Sequence, residues 1–180
     1  MSKRLVTVSK FLSKYLRHEP EALGLQLDVG GWVDVDALLA GAHDAGFPIT
    51  RGELQNVVAT SDKQRFAFDE TGLRIRANQG HSAEVDLQLE VVPPPERLYH
   101  GTVAQFLTAI MAEGLQKMSR HDVHLSADAE TALKVGSRRG KPVVLIIDAA
   151  RMAADGFEFR RSANGVWLTD HVPPRYIQAR

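Results

Sequence analysis

The spacing of apolar residues along the first half of the chain predicts three helices followed by a β-hairpin. Residues 8–18 repeat apolar side chains at the interval of one helix face. Asp34 can cap a second helix that ends near Gly46, and Thr50 opens a third with a Thr-x-x-Glu capping box. Residues 65–77 predict two strands around the turn Asp-Glu-Thr-Gly. This order is typical of a winged helix, and a generic small α+β lobe is the alternative.

Three consecutive prolines, Pro93–Pro95, mark the point where the pattern changes. Beyond them, short strands alternate with two helices, which favours a compact split β-sheet lobe over a doubly wound sheet. No Gly-x-Gly-x-x-Gly or P-loop sequence is present. We therefore expect an α+β protein with lobes at residues 1–92 and 93–180. The strands are predicted at residues 97–102, 122–126, 141–148, 157–162, 165–170 and 174–180, and the helices at 103–115 and 128–140.

Composition excludes several classes of protein. The 180 residues are 44% hydrophobic, which is enough to bury a core, and the absence of cysteine excludes disulfides and thiolate chemistry. Residues 1–16 lack the unbroken apolar run of a secretion signal, and no later run reaches membrane-spanning length. We therefore expect a cytoplasmic protein that does not enter a membrane.

Charge is balanced over the whole chain but not within each half. Residues 1–90 carry 10 basic and 13 acidic side chains, a net charge of −3, and residues 91–180 carry 12 and 9, a net charge of +3. Zero net charge argues against non-specific coating of nucleic acid. A few arginines that converge can still bind a single phosphate firmly.

The histidines do not form a metal-binding pattern. His121 and His124 lie in a segment that favours a strand, where positions i and i+3 point to opposite faces. No cysteine or acidic partner accompanies them, so we predict that the protein binds no metal there. A hydrogen-bonded interior histidine is the ordinary alternative for either residue.

Three further histidines sit in suggestive surroundings. His18 follows Arg17 at a helix end that a proline closes, and His81 lies in a polar segment expected to be a loop. His100 is expected to end a strand just before a helix. Gly101 next to it is expected to let a ligand approach the backbone, and the N-terminus of the following helix favours a phosphate or a ribose hydroxyl.

Six motifs follow one another along the chain: FLSKYLRHEP, SDKQRFAF, IRANQGHS, LYHGT, MSRHDVHLS and NGVWLTDHVPPRYI. In these motifs and their order, the chain resembles the RNA 2'-phosphotransferases of the KptA type over nearly its whole length. That resemblance implies a winged-helix RNA-binding lobe at residues 1–92 and an ADP-ribosyltransferase-like, NAD-binding lobe at residues 93–180.

The resemblance implies a reaction in which NAD+ is consumed and no metal takes part. An internal RNA 2'-phosphate, as left at a tRNA splice junction, attacks the ribose carbon that carries nicotinamide. The 2''-hydroxyl of that ribose then attacks phosphorus. The RNA is released together with ADP-ribose 1'',2''-cyclic phosphate.

Matching by motif assigns catalytic roles to Arg17, His18, Arg65 and Arg120. The resemblance implies that the three arginines bind the 2'-phosphate, because guanidinium groups bind phosphate bidentately and stay protonated. His18 is expected to hydrogen-bond the phosphate or to protonate the departing 2'-oxygen. As isolated residues, Arg17 and Arg65 would more simply be solvated arginines at the ends of a helix and a hairpin.

The NAD-binding lobe is expected to carry a signature of three residues on separate strands. His100 matches the first position, near the adenosine-side ribose and the nicotinamide amide, and His124 the second, beside nicotinamide. Val166 matches the third, where relatives that modify proteins often carry glutamate; simple core packing is the alternative for Val166 and Trp167. Further contacts with NAD+ are expected from Gly101, Thr102, Ser126 and Arg138 or Arg139.

The remaining assignments are broader. His81 and Ser82 are expected to contact the RNA, and the arginine pair at 138–139 could instead be a solvated helix end. Two rival functions are an ADP-ribosyltransferase that acts on a terminal phosphate of a nucleic acid or another acceptor, and a winged-helix regulator that senses NAD+. The latter lacks a basic recognition helix, since residues 50–60 offer only Arg51. We expect a monomer without an obligatory protein partner.

Overall fold

The computed structural model describes residues 2–61, 63–83, 85–118 and 120–180. These residues form two compact units, one that extends to Gln88 and one from Leu89 to Arg180. The described segments contain six α-helices and several small antiparallel sheets, which confirms the predicted α+β class. None of those helices has both the length and the apolar character needed to cross a membrane.

The first unit contains the three predicted helices and the predicted hairpin. Its three strands form an antiparallel sheet in the order β1-β3-β2. The two residues of β1 were not predicted, because so short a strand has no alternation to recognise. The elements are α1 (Lys3–Arg17), a 3₁₀ turn (Pro20–Leu23), β1 (Val33–Asp34), α2 (Val35–Asp44), α3 (Arg51–Thr60), β2 (Phe66–Phe68) and β3 (Arg74–Ala77).

Side-chain caps determine where the helices of the first unit begin. The Asp34 carboxylate accepts a hydrogen bond from the Asp36 amide, and the capping box between Thr50 and Glu53 is complete, so both predicted caps are confirmed. The first helix begins five residues earlier than predicted, because the Ser2 hydroxyl accepts from the Leu5 amide and caps it. The apolar faces of the helices then pack with the sheet into one core that includes Leu12, Leu16, Leu38, Leu54 and Ile75.

The second unit contains the predicted alternation of short strands and helices, with three additions. The sequence analysis missed α6, which has six residues. It also missed the pair formed by β5 and β10, which have two residues each. The elements are β4 (Leu98–Val103), a 3₁₀ turn (Ala104–Phe106), α4 (Leu107–Glu113), β5 (Leu115–Gln116), β6 (Val123–Leu125), α5 (Ala129–Ser137), β7 (Pro142–Ile147), α6 (Ala149–Ala154), β8 (Arg160–Arg161), β9 (Trp167–Thr169), β10 (His171–Val172), a 3₁₀ turn (Pro174–Tyr176) and β11 (Ile177–Ala179).

Two three-stranded antiparallel sheets carry four of the predicted NAD+-binding residues, which are His100, Gly101 and Thr102 on β4 and His124 on β6. Their orders are β11-β7-β4 and β6-β9-β8. Tyr99 and Ser126 link β4 to the residue that follows β6, because each backbone amide donates to the other's carbonyl at 2.9 and 2.8 Å. His100 and His124 are therefore held on neighbouring backbone segments. Trp167 is 8% exposed and belongs to the apolar core of this unit, as predicted.

Helix packing gives Gly101 a structural role that the sequence analysis missed. His100 and Gly101 lie inside β4, which continues to Val103, so the prediction that they stand at the end of a strand was wrong. A Cβ atom on Gly101 would lie 1.8 Å from the carbonyl oxygen of Ala132 in α5. The missing side chain thus lets α5 approach the strand.

We expect Gly101→Ala to destabilise the protein by about 3 kcal/mol, because the helix backbone cannot move aside as a flexible side chain could. Gly52→Ala is the matched control, since a Cβ on Gly52 in α3 meets only the Thr50 hydroxyl, at 4.0 Å. It should raise stability by about 0.5 kcal/mol. Urea unfolding of both variants checks this, and equal stabilities would contradict the packing explanation.

Candidate active site

The end of α1 carries the first two predicted catalytic residues. Arg17 is the last residue of the helix, and His18 caps it by donating its backbone amide to the Lys14 carbonyl at 3.1 Å. The His18 side chain is exposed, and its Nδ1 is hydrogen-bonded to Oγ of Ser82 at 2.7 Å. The imidazole is therefore oriented by a residue 64 positions further along the chain.

A loop of residues 78–83, here called the tether loop, holds this helix end. The backbone amides of Ser82 and Ala83 donate to the Arg17 carbonyl at 2.9 and 3.0 Å. Gly80 has φ of +88°, and a Cβ atom there would lie 3.3 Å from Cζ of Arg17. The guanidinium thus packs against the backbone of Gly80, where a side chain would crowd it and strain the turn.

The same loop holds the segment that carries Arg65. The Asn78 amide donates to the Arg65 carbonyl at 2.9 Å, and its side-chain Nδ2 donates to the Gln64 carbonyl at 2.7 Å. Gln64 has φ of +45°, an uncommon conformation for a residue with a side chain. The tether loop therefore connects the backbone of Arg65 with the helix end at Arg17 and His18.

The two predicted RNA contacts in the tether loop differ in exposure. Ser82 is exposed, whereas His81 is only 2% exposed and lies inside the unit. A Cβ atom on Gly31 would lie 3.5 Å from Nε2 of His81. The burial of His81 favours an internal supporting role, and its contact with RNA stays a prediction. Sequence reasoning missed Asn78 and Gly80, although the polar run Asn-Gln-Gly was a signal for a specific turn.

In the second unit, hydrogen bonds connect Arg120, His124 and His100. Nη1 of Arg120 donates to Nδ1 of His124 at 2.9 Å, and Nδ1 of His100 donates to the His124 carbonyl at 3.0 Å. Arginine has no acceptor and a carbonyl has no donor, so both bonds define protonation states. The bond with Arg120 makes Nδ1 of His124 the acceptor, which corresponds to the tautomer with its proton on Nε2. His100 carries a proton on Nδ1, which leaves Nε2 as an acceptor when the ring is neutral.

Burial and positive charge act together on this group. Burial lowers the pKa of His100, the hydrogen bond to His124 raises it in part, and the charge of Arg139 lowers it further. Burial and the charge of Arg139 also lower the pKa of Arg120, although arginine stays protonated. The site therefore combines a neutral histidine with concentrated positive charge, which suits an anionic ligand.

Arg139 is a better candidate than Arg138 for a contact with the ligand. Its guanidinium lies 5.8 Å from the ring centroid of Phe106, and its charge acts on both His100 and Arg120. Both arginines are exposed, and Arg138 is the C-cap residue of α5. The two arginines of this pair thus have different surroundings, which the sequence alone left undecided.

The other predicted NAD+ contacts lie near this group with different exposure. Thr102 shares a face of β4 with His100 and is 5% exposed, and Ser126 is half-buried. Val166 does not lie on a strand as predicted but just before β9, because it pairs with Ser162 in a turn. Its half-buried side chain contributes no carboxylate at that position.

Groups suited to a metal ion are absent from the part of the chain that the structure describes, where no three histidine, aspartate or glutamate side chains come together in that way. His121 is exposed and precedes β6, whereas His124 lies on β6. The two histidines of this segment therefore have different surroundings.

Comparison with known proteins shows the family to which the chain belongs. The family described as RNA 2'-phosphotransferase, Tpt1 / KptA family, matches residues 3–171. The chain therefore belongs to this family of transferase enzymes, and the resemblance found in the sequence is confirmed. Membership implies an RNA substrate and the use of NAD+.

Individual relatives match over nearly their whole length, and each is named a probable RNA 2'-phosphotransferase. The relative from Streptomyces coelicolor is 64% identical over 97% of this chain and 95% of its own. The relative from Nostoc punctiforme is 61% identical over 97% of both chains. The relative from Agrobacterium fabrum is 57% identical over 94% of this chain and 91% of its own.

We expect His100 to stay neutral at pH values at which an ordinary histidine is protonated, with its proton on Nδ1, because burial lowers its pKa. The unfolded chain binds that proton more readily, so stability should fall as the pH drops through the ordinary range of histidine. A ¹⁵N NMR titration, with the signal assigned by its loss in His100→Gln, measures this. Titration at or above the ordinary value would contradict the assigned environment.

Proposed function

We propose that the protein removes an internal 2'-phosphate from RNA with NAD+ as co-substrate, through a 2'-phospho-ADP-ribosylated RNA. The products are nicotinamide, RNA with a free 2'-hydroxyl and ADP-ribose 1'',2''-cyclic phosphate. The observation that supports this most is the linked set Arg120, His124 and His100, which combines directional donors with a neutral imidazole. We assign RNA binding to a winged-helix lobe at residues 1–92 and NAD+ binding to an ADP-ribosyltransferase-like lobe at residues 93–180.

The donor set of the second unit is chemically suited to NAD+. A diphosphate needs positive charge, which Arg139 supplies, and ribose hydroxyls and the nicotinamide amide need both donors and acceptors. His100 offers an acceptor at Nε2, and Thr102 and Ser126 offer hydroxyl groups. His124 lies on β6, and its hydrogen bond with Arg120 holds it beside this positive charge, which supports its assignment beside nicotinamide.

In the first step, an oxygen of the 2'-phosphate attacks C1'' of the nicotinamide ribose. The C1''–nitrogen bond breaks, its electron pair stays on the leaving nitrogen, and neutral nicotinamide departs as a C1''–O–P linkage forms. The ribose carbon gains positive character in the transition state, so orientation of the two substrates contributes more than a strong base. Val166 fits this step because a phosphate dianion needs no carboxylate to activate it and would be repelled by one.

In the second step, the 2''-hydroxyl attacks phosphorus and loses its proton as the cyclic phosphate forms. The bond from phosphorus to the RNA 2'-oxygen breaks, and that oxygen takes up a proton. Charge increases on the phosphoryl oxygens, where we assign Arg17, Arg65 and Arg120 as donors. We assign His18 as the group that hydrogen-bonds the phosphate or protonates the departing oxygen, a role that its exposed ring and its bond to Ser82 support.

Incubation of the protein with NAD+ and a short RNA that bears one internal 2'-phosphate tests this function. We expect nicotinamide and cyclic phosphate to appear in equal amounts as the RNA loses its phosphate. Hydrolysis of NAD+ without loss of the RNA phosphate would contradict the proposal. Transfer of ADP-ribose to a terminal phosphate would support the rival function instead.

Arg65→Ala should slow phosphate removal about 100-fold, because a charged donor to the transition state is lost. Affinity for NAD+ should stay unchanged, and ADP-ribosylated RNA should accumulate in single-turnover reactions. Arg74→Ala is the matched control from the same hairpin, since Arg74 is an exposed residue paired with Asp69 at 3.1 Å. An equal loss of NAD+ affinity in Arg65→Ala would remove this residue from the phosphate-binding role.

A further inference from the structure

The positive charge of the first unit is concentrated on its first helix. Five of the fifteen residues of α1 are basic and none is acidic. Residues 18–88 carry 5 basic and 12 acidic side chains. A helix face that is merely solvated normally mixes both signs, because charges of one sign repel each other along the helix. The composition of α1 therefore calls for a further explanation.

Four of these basic residues form one line along the helix. At 100° per residue, positions 3, 10, 14 and 17 fall within about 60° of the helix circumference. This face lies opposite the buried residues Val8, Leu12 and Leu16. We call the exposed residues Lys3, Lys10 and Lys14 the lysine stripe.

The lysine stripe leads directly to the proposed catalytic residues. It runs along α1 toward Arg17 and His18, and the helix from Lys3 to Arg17 is about 21 Å long at 1.5 Å per residue. An RNA strand whose 2'-phosphate is bound at Arg17 and His18 must extend from that point in both directions. A line of ammonium groups at this place matches the repeated negative charges of a strand backbone.

Ion pairing distinguishes Lys3 and Lys10 of the stripe from three other basic side chains of the unit. Arg4, Arg51 and Arg74 each pair with a carboxylate, those of Glu53, Asp36 and Asp69. Among the described residues, no acidic side chain comes within ion-pair distance of Lys3 or Lys10.

Lys14 has a weak competing interaction. It lies 3.6 Å from Glu19, and both side chains are about half exposed, so the pair contributes little. The lysines of the stripe therefore remain available to an external anion.

We propose that the lysine stripe binds backbone phosphates of the substrate RNA on one side of the nucleotide that carries the 2'-phosphate. The inference rests on the proposed function, because Arg17 and His18 define where the 2'-phosphate lies. Lysine contacts with phosphate do not depend on the base sequence, so the stripe increases affinity for a continuing strand of any sequence. It makes a 2'-phosphate inside a strand a better substrate than one in a very short RNA.

The test compares two RNAs with the same internal 2'-phosphate, a trinucleotide and a longer single strand. For the intact protein, kcat/KM should be higher for the longer strand, and the difference should shrink as salt is raised. Lys10→Ala should lower kcat/KM for the longer strand about two- to fivefold, mainly through KM. The ratio of kcat/KM for the longer strand to kcat/KM for the trinucleotide should therefore fall. Lys3→Ala combined with Lys10→Ala should lower this ratio further.

Arg51→Ala is the matched control, because it removes one positive charge from the same unit at a residue outside the stripe. It should leave the preference for the longer strand unchanged. Equal effects of Lys10→Ala and Arg51→Ala, or no preference for the longer strand in the intact protein, would overturn the proposal.

The experiment distinguishes failure of the proposal about the lysine stripe from failure of the proposed function. If the intact protein removes the phosphate from the trinucleotide and Lys10→Ala changes nothing, only the stripe is wrong. If neither RNA loses its phosphate, the proposed function fails first. Alanine is favourable in the middle of an exposed helix, so the variant should keep its fold, which circular dichroism checks.

Discussion

The tether loop is the constraint on which the arrangement of the first unit depends. Its backbone amides bind the end of α1 at Arg17, and Asn78 binds the carbonyls of Gln64 and Arg65. Neither a helix end nor the start of a hairpin strand fixes a long side chain by itself, because arginine loses much rotamer freedom when it is ordered. The tether loop fixes the backbone at both places, and Gly80 packs against the guanidinium of Arg17, which limits the freedom of that side chain before a substrate binds.

In the second unit, strand pairing holds the predicted site residues in place, as the tether loop does in the first unit. The link between Tyr99 and Ser126 aligns β4 with the segment after β6, and the hydrogen bond from His100 to the His124 carbonyl follows from that alignment. Arg120 then donates to the ring of His124. The result is two histidines close to positive charge, one of them with a pKa lowered by burial, an arrangement that favours binding of an anion. This agrees with the proposed reaction, whose acceptor is already ionised.

Much of the fold could be predicted from sequence because its signals are local. Caps at Asp34 and at Thr50, and the alternation on both sides of the turn before β3, depend on neighbouring residues alone. What could not be predicted depends on contacts between distant residues. The packing of α5 against Gly101 and the burial of His81 arise where segments far apart in sequence meet, and two-residue strands such as β5 have no periodicity.

The candidate site likewise has features that the sequence could predict and features that required the structure. Motifs identified Arg17, His18, Arg65 and Arg120 as residues of interest, but their support by Asn78, Gly80 and Ser82 appears only in three dimensions. Adjacent arginines are equivalent in a sequence pattern, and only the structure shows that the charge of Arg139 acts on His100 and Arg120. The turn that contains Val166 was mistaken for a strand because Ser162, which pairs with it, lies outside the local alternation.

The most direct test of this account is a double-mutant cycle between Ser82 and His18, measured as single-turnover rates of phosphate removal. Loss of the hydrogen bond in Ser82→Ala should lower the rate about fivefold, corresponding to about 1 kcal/mol. In the His18→Ala background the same change should have no further effect, because Ser82 acts through the imidazole that it orients. A fivefold loss that persists without His18 would show that Ser82 acts independently, and would contradict the positioning role of the tether loop.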